Sequence, residues 1–187
     1  MFDTSEFRKG LKIEIDGSPW IIVDFQHVKP GKGTAFVRTR LKQLETGQTI
    51  DRTFRSGDKV GRPDLEEVSC TFMYQDGEGW HFMNTTTYET LTLSDAAVGD
   101  SRNYLIEQLP VTILLFSGRA ISIDLPNFIE ARITVCDPAV AGNTATGATK
   151  PVTVETGYQV NVPMYISESD ILKIDTRDGR FVERVNR

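Results

Sequence analysis

Period-2 alternation of apolar and polar residues runs along most of this chain, and helical periodicity is nearly absent. Leu11, Ile13 and Ile15 alternate with Lys12, Glu14 and Asp16 before Asp16-Gly17-Ser18-Pro19 turns the chain. The next two runs, Trp20 to Val28 and Thr34 to Lys42, flank the segment Lys29-Pro30-Gly31-Lys32-Gly33. In the second run Val37, Thr39 and Leu41 alternate with Arg38, Arg40 and Lys42, which predicts a strand with one basic face. Glu45-Thr46-Gly47-Gln48 turns again into Thr49 to Phe54. Four or five short strands with tight turns predict a small SH3-like (KOW-type) barrel over residues 1–63, closed by the polar stretch Gly61-Arg62-Pro63-Asp64.

The alternation resumes at Val68, Cys70, Phe72 and Tyr74, turns at Asp76-Gly77-Glu78-Gly79, and continues through Trp80 to Met83. Ser94 is a candidate N-cap for a short helix towards Tyr104, which Gly99 interrupts. Val111 to Phe116 and Ala120 to Leu125 then pair across Ser117-Gly118-Arg119. Five strands and one short helix predict an OB-like barrel over residues 64–126. Over residues 127–187, Ile129, Ala131, Ile133 and Val135 alternate with Glu130, Arg132, Thr134 and Cys136. A long loop of small residues, 137–151, leads to strand-like stretches over Val152 to Val162 and Asp170 to Asp175. Asp178-Gly179 is a hairpin signal before Phe181 to Val185. The expected architecture is all-β, three small barrels in series, the second and third OB-like. Each is near the lower size limit for an independent core, so contacts between neighbours matter.

Charge changes this picture in one respect. The net charge is −5, but residues 1–63 hold 12 Lys and Arg against 8 Asp and Glu, while the remainder holds 9 against 18. A basic head on an acidic body points to a polyanionic partner met by the head alone, although solvated faces produce the same imbalance. Cys70 and Cys136 lie far apart in alternating runs and are expected to be buried free thiols. His27 and His81 have no i,i+4 or cysteine partner, so neither a metal nor a cofactor is expected. The longest apolar stretch near the middle, Ile113 to Phe116, is too short to cross a bilayer, and the reading is cytoplasmic with no membrane partner.

The chain carries no Gly-x-Ser-x-Gly elbow and no Cys–His pair with a credible partner; Glu66 and Glu67 face opposite ways if they lie on a strand. Nothing here predicts an enzyme; serial small barrels are a binding architecture. The tip is the distinctive stretch. Pro30 presets its own φ, Gly31 and Gly33 permit positive φ, and Lys32 stands between glycines that cannot shield it. A phosphate-cradling loop is excluded, because Gln26 stands where that motif needs glycine and a strand follows instead of a helix. Tip lysines are ordinarily just solvated. In the loop Gly142-Asn143-Thr144-Ala145-Thr146-Gly147, glycines would let a backbone approach a ligand and threonine hydroxyls could meet phosphate or ribose oxygens. The aromatic residues sit mostly in alternating strands and are expected in cores.

Three stretches carry a resemblance over the whole length. Val28-Lys29-Pro30-Gly31-Lys32-Gly33-Thr34-Ala35-Phe36 resembles the modification loop of bacterial translation elongation factor P. Gly142 to Gly147 is similar to that family's third-domain loop, and Lys150 to Gly157 with Val162-Pro163-Met164-Tyr165-Ile166 to its C-terminal signature. The resemblance implies an L-shaped tRNA mimic that binds the ribosome between the peptidyl and exit sites. It implies that Lys32, lengthened in much of the family by a modifying enzyme, points into the peptidyl-transferase centre and relieves stalling at consecutive prolines. Both ribosomal subunits, ribosomal RNA and peptidyl-tRNA are the implied partners of a monomer, with Arg38, Arg40, Lys42, Arg184 and the 142–147 loop as RNA contacts. Asn143, Ser169 and Phe181 depart from the family pattern; Phe181 cannot supply a hydroxyl where tyrosine is expected. The competing reading is a paralogous or generic RNA-binding module without a modified tip. The related initiation factor five-A lacks a third barrel such as residues 127–187 predict.

Overall fold

The alternating runs become strands because each can bury one face. The computed structural model describes residues 1–137 and 147–185. Its strands are β1 (Phe2–Asp3), β2 (Lys12–Ile15), β3 (Ser18–Val28), β4 (Phe36–Gln43), β5 (Thr49–Arg55) and β6 (Lys59–Val60), followed by β7 (Leu65–Asp76), β8 (Gly79–Asn84) and β9 (Thr90–Leu93). Helix α1 (Asp95–Val98) and a 3-10 segment (Gly99–Tyr104) precede β10 (Pro110–Phe116) and β11 (Arg119–Asp124). Strands β12 (Phe128–Cys136), β13 (Thr149–Val154), β14 (Gln159–Pro163), β15 (Ile171–Asp175) and β16 (Phe181–Val185) complete the described chain. The sheets run β2-β3-β4-β5, β11-β10-β7-β8-β9 and β14-β13-β12-β15-β16, with β1 paired to β6. Curled antiparallel sheets of this kind are half-barrels, so the expected all-β barrel class is observed.

The chain divides into two compact units, residues 1–68 with 113–122 and residues 69–112 with 123–187. In the first, Leu11, Ile13, Ile15, Ile22, Val37, Leu41, Phe54 and Val60 form the core, with Phe7 set edge-on to Phe54 at 5.3 Å. Burying each such side chain contributes about 1.5–3 kcal/mol. Thr39 is polar yet only 3% exposed, because its Oγ1 donates to the Arg52 carbonyl at 2.7 Å. At the entry to this unit Asp3 caps a 3-10 turn, Thr4–Glu6, and Glu6 accepts from the Asp3 N–H.

In the second unit the 3-10 segment is drawn into the core of the third strand set. Tyr104 packs there beside Ile129, Val154, Val162 and Leu172. Its ring lies 5.5 Å from that of Tyr158, and Thr156 Oγ1 donates to the Asn103 carbonyl at 2.7 Å. Burial pushes the Tyr104 phenol up to about 12. As expected, Ser94 caps α1 through Ala97 N, and the helix gives way at Gly99.

The structure departs from the simple alternation at named places. The second strand of the tip hairpin begins at Phe36, not Thr34. Val152 to Val162 is two strands, broken at Glu155–Tyr158, where Val154 N donates to the Tyr158 carbonyl. Bulges between Phe72 and Tyr74 and between Ile133 and Val135 shift parity, which turns Tyr74 and Val135 out to 53% and 51% exposure. Tyr88, Tyr165 and Phe128 are also exposed, so fewer aromatics are core than the pattern predicts. Cys70 is buried, whereas Cys136 is half-buried.

Among the glycines, the closest surroundings lie at Gly179, which has φ +75 in the β15–β16 turn. A Cβ there would overlap the Tyr158 hydroxyl and come within 2.7 Å of the Tyr104 hydroxyl. Gly179→Ala is therefore expected to destabilise the protein by at least about 1–2 kcal/mol, the cost of the backbone conformation alone. Calorimetry would read this as a fall in melting temperature, and an unchanged transition would show that neither the positive φ nor the two hydroxyls resists a Cβ there.

Candidate functional site

The hairpin tip is built by three strands that end level with one another. Val28 pairs with Phe36, and Phe36 pairs with Arg55, so β3, β4 and β5 stop at the same height. Residues 29–35 project past that edge, tied to the sheet by one bond in which Ser56 N donates to the Ala35 carbonyl at 3.0 Å. Lys29 through Thr34 are all exposed, and Lys32 has no hydrogen-bond or ion-pair partner among the described residues. Gly33 takes φ +115, which a side chain rarely adopts; Gly31 does not use the positive φ that its sequence permits. At the base of the tip a cavity of about 180 Å³ lies between Thr4, His27, Lys29, Phe36 and Ser56.

The outer face of β4 carries Arg38, Arg40 and Lys42 as expected, with Val37, Thr39 and Leu41 buried behind them. It is less purely basic than the sequence implies. Arg40 pairs with Asp24 on one side and Asp51 on the other in register, and its Nε lies 3.2 Å from Asp51 Oδ1. Arg38 lies over the Phe36 ring at 5.5 Å. These groups border an open cavity of about 440 Å³ with Arg52 and Asp51 on its far wall. Such a surface offers guanidinium donors while carboxylates limit nonspecific attraction.

In the second unit Arg184 lies on β16, its guanidinium 5.6 Å from the exposed Tyr165 ring and its Nη1 3.9 Å from Asp170 Oδ2. Ser169 hydrogen-bonds Ser167 at 3.3 Å, and Phe181 packs against the core of the third strand set. Gly147 is exposed in a turn; Gly142, Asn143, Thr144, Ala145 and Thr146 lie outside the described residues.

The sequence missed one polar cluster. His81 has a partner five residues away, Asp76, whose Oδ1 lies 2.8 Å from Nε2, while Thr92 Oγ1 lies 3.0 Å from Nδ1. Glu78 joins Asp76 and His81 so that one ligating atom from each of the three lies within 4.8 Å of the others. Asp76 Oδ1 also accepts from Glu78 N and Gly79 N, so the carboxylate is engaged in closing the β7–β8 turn. The hydrogen bond to His81, then that from the Glu78 backbone, holds the Asp76 carboxyl below the usual range.

The matches to known proteins fall on this same geometry. A family model described as the elongation factor P KOW-like domain matches residues 3–60, its OB domain residues 65–123, and its C-terminal domain residues 129–184. The elongation factor P of Bdellovibrio bacteriovorus is 46% identical over 186 residues, covering 100% of this chain and 99% of the relative. That of Desulfosudis oleivorans is 48% identical over 187 residues, covering 100% of both. The chain belongs to the elongation factor P family. Its Lys32 tip therefore stands on the KOW-like domain of a translation-factor family. A solved structure of eukaryotic translation initiation factor 5A from Methanococcus jannaschii matches with TM-score 0.57 and 24% identity over 66% of this chain and 91% of that one. That likeness shows a shared fold. No helix of the described residues is long and apolar enough to cross a membrane.

Two expectations follow. At Gly31 the backbone is ordinary and a Cβ meets nothing, whereas Gly33 is at positive φ. Gly33→Ala should cost about 1 kcal/mol or more and Gly31→Ala within about 0.5 kcal/mol, measured by calorimetry. For Asp76, a depressed carboxyl contributes stability above the usual aspartate value, near pH 3.9, and loses it as pH falls through the folded value. Asp76→Asn should thus lower the melting temperature at pH 7, with the difference closing below about pH 4. A gap independent of pH would contradict this.

Proposed function

We propose that the protein is a ribosomal translation factor that works by positioning, not turnover, with Lys32 as its reaching group. It binds between the peptidyl and exit sites, and Lys32, lengthened by a modifying enzyme, extends to the peptidyl-transferase centre. The observation that carries this reading is the tip itself, where Lys32 stands exposed and unpartnered between two glycines on seven residues beyond the ends of three strands. A narrow, exposed projection can enter a confined site, and an amine free of internal partners is available both to a modifying enzyme and to RNA.

The chemistry needs no nucleophile from the protein. Proline's ring fixes φ and makes it a slow partner in peptide-bond formation, so the barrier contains a large orientational part. Holding peptidyl-tRNA in a reactive pose lowers that part, and well-oriented reactants gain up to about 7–11 kcal/mol of such advantage. Each tenfold in rate needs only about 1.4 kcal/mol of it. Arg38, Arg40 and Lys42 are assigned to tRNA phosphates, and Arg184 with residues 142–147 to further RNA contacts. The matched family-model ranges support a division near residues 63 and 126. We assign the protein to the cytoplasm as a monomer without a cofactor.

Synthesis through consecutive prolines in a reconstituted translation system tests this directly. Native protein should accelerate it, and Lys32→Ala should lose at least about tenfold of that acceleration while keeping its melting temperature. The Lys32 peptide from the native host should also carry a discrete added mass. Equal acceleration by Lys32→Ala would overturn the proposed role of the tip.

A further inference from the structure

Apart from the tip and the β4 face, the first unit holds a third basic feature. A cavity of about 410 Å³ opens between the N-terminal segment, β2 and the chain after β6, and is bordered by Arg8, Lys12 and Arg62. No carboxylate borders it; the rest of its wall includes Phe2, Leu11 and Leu65. Several other cations of this unit are answered by acids: Lys9 by Asp24 at 3.4 Å, Arg40 by Asp51 at 3.2 Å, and Arg119 by Glu45. Arg8, Lys12 and Arg62 have no ion-pair partner among the described residues. The Arg62 guanidinium lies 5.9 Å from the Phe2 ring centroid, an arrangement that holds its donor fork against the wall.

Three unanswered cations around one concavity repel one another, and an apolar wall weakens their screening by water. An entering anion relieves both costs. The geometry points to a binding site for a phosphate group of an RNA chain, set apart from the Arg38, Arg40 and Lys42 face. Arginine forks match phosphate oxygens two at a time, and the lysine adds a point charge. A phosphodiester fits better than a carboxylate surface, because its oxygens accept from several directions at once. Asp64, exposed beside the rim, would repel a second phosphate close by and so favours a strand that touches the site once. This inference deepens the proposed function by adding a second RNA anchor to the same unit.

The test uses the full chain and two probes, a short RNA duplex and inorganic phosphate. Backbone amide resonances of Gly10, Leu11 and Leu65 should shift on adding RNA, and at much higher concentration on adding inorganic phosphate. The variant Arg8→Gln/Lys12→Gln/Arg62→Gln should bind the duplex at least about tenfold more weakly, with the slope of log affinity against log salt shallower by about 1. Lys9→Gln, whose charge is already paired, should bind as native protein does. Unshifted amides with RNA would overturn the site, a reading that needs no variant to fold. So would equal salt slopes for native protein and triple variant, or shifts with inorganic phosphate and none with RNA. Ribosome binding measured in parallel separates the two readings. Native protein that binds RNA here but not ribosomes would sink the proposed function and leave the pocket standing.

Discussion

The structure depends first on the shared height at which β3, β4 and β5 end. Because Val28, Phe36 and Arg55 pair in one row, the sheet stops cleanly and the seven residues beyond it have no strand to lie against. That row is held by what lies behind it. Val37 and Leu41 are 2% and 0% exposed, and Thr39 is locked by its bond to the Arg52 carbonyl. A slip of one residue in β4 would bury Arg38 and Arg40 in place of Val37 and Thr39. The apolar core thus sets both where Lys32 stands and which way the arginines face.

The second unit solves a different problem. Strand sets of this size bury little surface alone, and here Tyr104, from a 3-10 segment, enters the core around Val154 and Leu172. Tyr158 and the Thr156–Asn103 hydrogen bond fix the same place from the other side. Two strand sets thereby share one core. The geometry is exacting because a glycine, Gly179, sits where any side chain would meet both hydroxyls.

Much of this was legible in the sequence because strand patterning is local. The Val37, Thr39, Leu41 face, the Ser94 cap and the Asp178-Gly179 turn all announce themselves within a few residues. Bulges do not, since the extra residue at Met73 or Thr134 differs in no visible way from its neighbours. Tyr74 and Val135 were therefore expected inside. Pairings across long sequence separations were equally invisible: Arg40 with Asp51 needs the β4–β5 register, and Arg8 with Arg62 needs the whole barrel closed. The lysine at the tip could be seen; that it lacks a partner could not.

That missing partner has an economic consequence for a cell. The Lys32 side chain makes no hydrogen bond or ion pair among the described residues, so a group attached to it displaces no native interaction. Bare and altered chains would then fold alike, persist alike and accumulate alike. The proportion of each in the pool would follow the supply of whatever alters it, and quality control acting on stability would be blind to the difference.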